Sequence, residues 1–354
     1  MNSEWATTAI QHVKRTVLAH RNFLRVHADL HQAMFAAQPG EVIVLVGPSR
    51  VGKLVVLRKA LDLALGKQFA GDQRSLYVLV NAENSSVGGL FSTKSFMARG
   101  CRAIGHPLYG AAKADDEWNV AYDRLIARTP ESLLRDGFEH GLRIFRTKFI
   151  IFDETQHVGY AFGGRAAAAR ILDSWKCLAW DAQSVLVLVG SYELLDLISL
   201  APHLLGRQQP IELSRYRSDS LQDIQAFDWI LAKYSEFLRL PAGQTLRDYN
   251  RLLFAGSIGC VGHLNKWLRN ALARLLSREL EVVSEALLKA TAMPRGQQQP
   301  LEAAAACGEV KLQLATAPSS DGVRAEPIIA PSPRARRTKP FQKRSVRTPR
   351  GGRL

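Results

Sequence analysis

Apolar and polar positions along the chain follow two periods, and the switch between them divides it. Near the start, Ile10, Val13, Val17 and Leu18 fall at helical spacing, and Phe23, Leu24, Val26, Leu30 and Met34 continue it after a break. Residues 1–38 therefore read as an N-terminal helical segment. Gln38-Pro39-Gly40 is a turn. Five short runs follow, over 41–46, 76–80, 148–152, 184–189 and 210–213, and each reads as a strand, the first of them buried and the last short. Helical patterns separate them, over 54–65, 95–104, 118–141 (rejoined at Thr129-Pro130-Glu131), 165–180 and 194–200. Strands alternating with helices predict an α/β domain over 39–217, with a mostly parallel sheet flanked by helices. Beyond residue 218 the strands stop. Helical patterns over 221–238, 246–255 and 261–288 predict a small helical domain over 218–292. From 293 onward Gln297-Gln298-Gln299, an alanine run and several prolines predict a poorly ordered tail, 293–354.

Charge adds a partner to this outline. The formal net charge is +15, and the segment 333–354 holds nine basic residues and no acid. A tail of one sign beside a mildly basic body suits a polyanion, most simply nucleic acid. The tail has two readings, an arm that binds DNA or a partner protein and a solubilising extension. A membrane surface suits it less, because it has almost no apolar residues to insert. No apolar run reaches the roughly 18 residues that cross a bilayer. The start of the chain lacks a basic region followed by an apolar stretch, so a cytoplasmic protein is expected. Cys101, Cys177, Cys260 and Cys307 are far apart in sequence and read as isolated reduced thiols.

The candidate chemistry lies at two strand ends. Gly47-Pro48-Ser49-Arg50-Val51-Gly52-Lys53 follows a predicted strand and opens a predicted helix. In that setting Gly-x-x-x-x-Gly-Lys wraps backbone N–H groups around phosphate oxygens, and the helix presents its unpaired N–H groups and positive dipole end. Lys53 is placed to pair with the β- and γ-phosphates. The next position calls for Ser or Thr, whose hydroxyl binds Mg²⁺, and here it is Leu54. Nucleotide binding rests on the backbone and Lys53. Hydrolysis is a separate question that Leu54 leaves open.

The third predicted strand ends in Asp153-Glu154. Asp153 is the candidate Mg²⁺ ligand and Glu154 the candidate general base for an attacking water. Gln156 and His157 follow, and His157 reads as a polar contact near the site rather than a metal ligand.

Four segments carry a family resemblance: Val44-Leu45-Val46-Gly47-Pro48-Ser49-Arg50-Val51-Gly52-Lys53, Ile150-Ile151-Phe152-Asp153-Glu154-Thr155-Gln156-His157, Leu186-Val187-Leu188-Val189-Gly190-Ser191 and Gly259-Cys260-Val261-Gly262-His263-Leu264. Together they resemble the AAA+ ATPases that regulate transposition, the TniB/TnsC type. The resemblance implies a P-loop AAA+ domain followed by a helical lid, with ATP and Mg²⁺ as cofactors. It implies a homo-oligomer, ring or filament, on duplex DNA without sequence preference, linking a target selector to a transposase. Ser191 takes the place of the polar sensor of the γ-phosphate. Arg207 takes that of a finger arginine reaching a neighbour's nucleotide, with Arg215 and Arg217 as rivals. Gly262-His263, with Lys266 and Arg269 following, stands where the lid usually offers an arginine. Lys94, Arg99 and Arg102 fall on a helix that would face DNA in such an assembly. Two other readings stand beside this one: a scaffold that binds nucleotide without hydrolysing it, and another AAA+ remodeller of the helicase-loader kind.

Overall fold

The computed structural model describes residues 2–66, 76–84, 88–110, 116–201, 204 and 209–316. Five strands, β1 (Val42–Val46), β2 (Tyr77–Asn81), β3 (Phe149–Asp153), β4 (Val185–Gly190) and β5 (Ile211–Glu212), form one sheet in the order β2-β3-β4-β1-β5, with every pairing parallel. β1, β3 and β4 are buried along their whole length, as unbroken Val, Ile, Leu and Phe runs require when helices cover both faces. Register fixes the functional edge. Val46 pairs with Gly190, and Asn81 pairs with Asp153, so the carboxyl ends of these strands finish side by side. Residues 47, 154 and 191 leave the sheet along that edge. Ligands of open α/β sheets bind there, outside the strand ends where the connections diverge.

Helix α1 (Asn2–Arg15) and helix α2 (Arg21–Ala36) realise the N-terminal pattern, but they serve different cores. Val26, Leu30 and Met34 of α2 pack with helix α3 (Lys53–Leu65) on one face of the sheet. Ala6, Ala9 and Val13 of α1 instead join the core of the C-terminal helices. The opposite sheet face is covered by α4 (Thr93–Ala103), α6 (Glu131–Ile144) and α7 (Gly164–Asp181). There Phe96 stacks on Trp175 at 4.6 Å, and Phe152 meets the same indole edge-on. Between α4 and α6 runs α5 (Asp116–Arg128), and after β4 comes the short α8 (Glu193–Ile198).

The C-terminal helical region, at the place of the expected lid, comprises α9 (Leu221–Ser235), α10 (Asn250–Ser257), α11 (Val261–Ser277) and α12 (Glu285–Thr291) around Phe227, Leu264, Trp267 and Leu268. The helical pattern over 261–288 is therefore two helices. Glu279 enters the left-handed region (φ 54), and the Ser284 side chain caps the new helix by accepting the Leu287 N–H. Ile258, after α10, is also left-handed (φ 58).

Residues 295–316, which composition placed in the tail, form α13 (Arg295–Thr316) despite Pro300 inside it. A narrow stripe explains this. Ala305, Gly308 and Leu312 lie on one face, and all three are buried. Leu312 joins the sheet core, Glu309 pairs with Arg215 at 2.7 Å, and Lys311 pairs with Asp196 of α8 at 2.8 Å. Among the described residues no helix is long and apolar enough to cross a membrane.

Candidate nucleotide site

The loop after β1 is shaped by backbone approach. A Cβ on Gly47 would lie 2.4 Å from the Leu213 carbonyl oxygen, so only glycine lets β1 leave the sheet here. Arg50 takes a left-handed conformation (φ 57), and Gly52 (φ 110) is the N-cap of α3 without any side-chain cap. The first N–H groups of α3, those of Lys53 and Leu54, thus have no side-chain acceptor at the cap, while Val55 donates to the Gly52 carbonyl; uncapped N–H groups of this kind donate to phosphate oxygens. Pro48 and Val51 are buried, whereas Ser49 and Arg50 are exposed.

Lys53 folds back over this loop. Its Nζ donates to the carbonyl oxygens of Gly47 at 2.9 Å and Pro48 at 3.0 Å. Burial lowers its pKa, and the nearby Glu154 and Asp153 carboxylates oppose that shift. Leu54 follows Lys53 in the first turn of α3. Its side chain is half-buried and packs against the core between α2, α3 and the sheet, where a metal-binding hydroxyl would otherwise be offered.

Asp153 ends β3 and is buried. Burial raises its carboxyl pKa, with a smaller upward push from Glu154, while Lys53 and Arg58 pull it down. A carboxylate so desolvated fits a cation as partner. Glu154 is exposed and left-handed (φ 53), which turns the chain sharply into a 3-10 segment, Thr155–Tyr160. Gln156 donates to Glu154 and accepts the Ser191 N–H at 3.1 Å. The Ser191 hydroxyl oxygen is buried without a hydrogen-bond partner, as a sensor awaiting a ligand oxygen would be. His157 Nδ1 lies 3.2 Å from the Ala82 carbonyl oxygen, a polar contact beside the site.

The lid reaches the loop through the start of α11. A Cβ on Gly262 would lie 2.0 Å from the Arg50 carbonyl oxygen. His263 is buried, its Nδ1 lacks a partner, and burial, then Arg50 and Lys266, lower its pKa. His263 follows Gly262 directly, in the turn of α11 that meets the loop backbone. Arg269 instead binds Asn265 at 3.0 Å within the lid. Cys260 is buried near Lys53 and Arg215, and burial pushes its thiol up to about 12.

The other predicted residues are placed as follows. Arg207 lies outside the described residues, as does the basic segment 333–354. Arg215 is held by Glu309, and Arg217 by Asp219. Lys94 donates to the Ala127 carbonyl at 2.8 Å, Arg99 to those of Asn81 and Glu83, and the Arg102 guanidinium lies over the Tyr122 ring. These three bases thus bind their own domain. The contributions of two residues depend on the folded chain: Gly262 lets α11 meet the backbone of the loop, and Gln156 bridges Glu154 and Ser191. Among the described residues no cluster of three or more His, Cys, Asp or Glu could hold a metal ion.

Comparison with known proteins agrees with this geometry. A family model described as an AAA domain matches residues 37–198. The chain has the AAA+ P-loop ATPase fold. The Aeropyrum pernix ORC2 protein in its ADP form is similar in structure, with a TM-score of 0.52 and 13% identity over 78% of this chain and 70% of that one. The ADPNP–ADP complexes of that protein give 0.50 and 14%, over 79% and 70%. The Aeropyrum pernix ORC1 protein in complex with DNA gives 0.51 and 18%, over 78% of this chain and 65% of that one. No curated protein matches the chain.

Proposed function

We propose that the protein binds ATP with Mg²⁺ and, in that state, oligomerises on duplex DNA as a regulator of transposition of the TniB/TnsC kind. The observation that carries the nucleotide part is convergence. The loop 47–53, Asp153-Glu154 and Ser191 leave three neighbouring strands at one edge, and Lys53 feels both carboxylates. In this reading residues 47–53 hold the phosphates, Asp153 holds the metal, Glu154 takes the proton of an attacking water, and Ser191 contacts the γ-phosphate. Bound Mg²⁺ would supply charge neutralisation at the phosphates. DNA binding is supported by the net charge of +15 and by the fold neighbour whose structure is a complex with DNA. The transposition role rests on the four matching segments, and a target selector and a transposase are its expected partners. Arg207 is proposed as the finger to a neighbouring subunit. Lys94, Arg99 and Arg102 would contact phosphates after exchanging their present partners.

Leu54 supports a second reading for the chemistry. Its side chain is half-buried against the core, so this position offers carbon where the motif has a hydroxyl. The protein would then assemble with ATP and turn it over slowly or not at all.

The deciding experiment is assembly on random-sequence duplex at low salt, imaged by electron microscopy with a non-hydrolysable ATP analogue, beside Lys53→Ala. Rings or filaments with wild type alone are expected. Absence of DNA binding in any nucleotide state would overturn the DNA reading. Equal nucleotide affinity in both proteins would overturn the site.

A further inference from the structure

Gln156 spans two groups of opposite need. Its Nε2 donates to a Glu154 carboxylate oxygen, and its Oε1 accepts the Ser191 backbone N–H at 3.1 Å. The left-handed turn at Glu154 brings side chains two residues apart into contact. Space for the amide comes from Gly190, where a Cβ would lie 2.7 Å from Gln156 Oε1. An amide suits both ends, since it carries a donor and an acceptor side by side. A carboxylate has no donor for Glu154, and an ammonium has no acceptor for Ser191. The hydroxyl oxygen of the same residue, Ser191, is buried without a protein partner.

We propose that Gln156 is a positioning residue that couples Ser191 to Glu154, so that a terminal phosphate engaging Ser191 fixes where the Glu154 carboxylate stands. This rests on the nucleotide site described above. The bridge runs from the end of β4 to the residue after β3 and needs no movement of the sheet. A shift of Ser191 carries the amide, and the amide carries the carboxylate.

Full-length wild type, Gln156→Ala and Gln156→Glu test the coupling. ATP and ADP affinities are read by fluorescent-nucleotide titration with Mg²⁺, and turnover at saturating ATP. Melting temperature controls for folding. ADP affinity should stay within about twofold in all three, because the bridge faces the terminal phosphate. The ATP-to-ADP affinity ratio should fall about fivefold or more in both variants, and kcat about tenfold with KM little changed, the scale of one hydrogen bond to a charged group. Gln156→Glu should be at least as impaired as Gln156→Ala, although it only exchanges NH₂ for oxygen, since it sets two carboxylates together. A space-filling side chain would give the reverse order, so Gln156→Glu matching wild type in the affinity ratio overturns the proposal. Where wild type binds ATP without turnover, the ratio alone decides. Where wild type binds neither nucleotide, the nucleotide site itself is refuted and the coupling falls with it.

Discussion

Gly262 and Arg50 touch backbone to backbone: a Cβ on Gly262 would lie 2.0 Å from the Arg50 carbonyl oxygen. The first turn of the lid helix is thereby seated on the phosphate loop. In an exposed helix Gly→Ala would stabilise by about 0.5–1 kcal/mol. Here Gly262→Ala is expected to destabilise by about 1–3 kcal/mol, the range for overpacking, and to weaken nucleotide binding as the lid is forced outward. Chemical denaturation and nucleotide titration check both effects. A gain in stability would show that the lid is not seated this way.

His20 predicts a pH dependence. Its Nδ1 lies 2.8 Å from the Tyr216 hydroxyl and accepts the Phe23 N–H at 3.3 Å, so Nδ1 is an acceptor and the ring is neutral. Burial, aided by the neighbouring Arg21 charge, lowers its pKa to about 4 from the usual 6.5. The unfolded chain thus binds a proton in this window that the folded protein does not. Stability contributed by neutral His20 is complete above about pH 6.5 and is lost as pH falls towards about 4, a change of a few kcal/mol. Denaturation midpoints at pH 7 and pH 5, for wild type and His20→Asn, should show a smaller loss in the variant. Equal losses would mean that His20 does not titrate in this range.

Asp153 has the opposite sign. Its carboxyl pKa is raised, chiefly by burial, so without a cation the charged form opposes folding near neutral pH and less so as pH falls. Asp153→Asn should raise the melting temperature of the nucleotide-free protein. It should also abolish any increase in ATP affinity on adding Mg²⁺. A variant that melts lower and still responds to Mg²⁺ would place the metal elsewhere.

Leu54→Thr exchanges packing for a ligand. Loss of half-buried methyl groups should lower stability by about 1 kcal/mol. The new hydroxyl should raise ATP turnover above wild type, read by phosphate release. Equal, brisk turnover in both proteins would show that the Leu54 position does not limit the chemistry.

Much of this was legible because its causes are local. β1, β3 and β4 are written in nearly unbroken apolar runs, and Gly47 to Lys53 announces its loop by spacing. Asp153 was legible as the acid ending such a run. Strand order was not, since β1 lies between β4 and β5 only through long-range pairing. The helix over 295–316 escaped because its buried stripe is Ala305, Gly308 and Leu312, two of them too small to mark an apolar face. The pattern over 261–288 hid its break, since polar and apolar residues keep helical spacing through Glu279 while the backbone does not. The split allegiance of α1 and α2 was equally hidden, because amphipathicity reports that a face is buried and not against what.

Ile258 carries a last consequence. A β-branched residue with φ 58 is held against its own preference, at a cost of about 1–2 kcal/mol, just before the helix that sits on the phosphate loop. Burial of the Ile258 side chain offsets that cost, so at this joint packing overrides backbone preference.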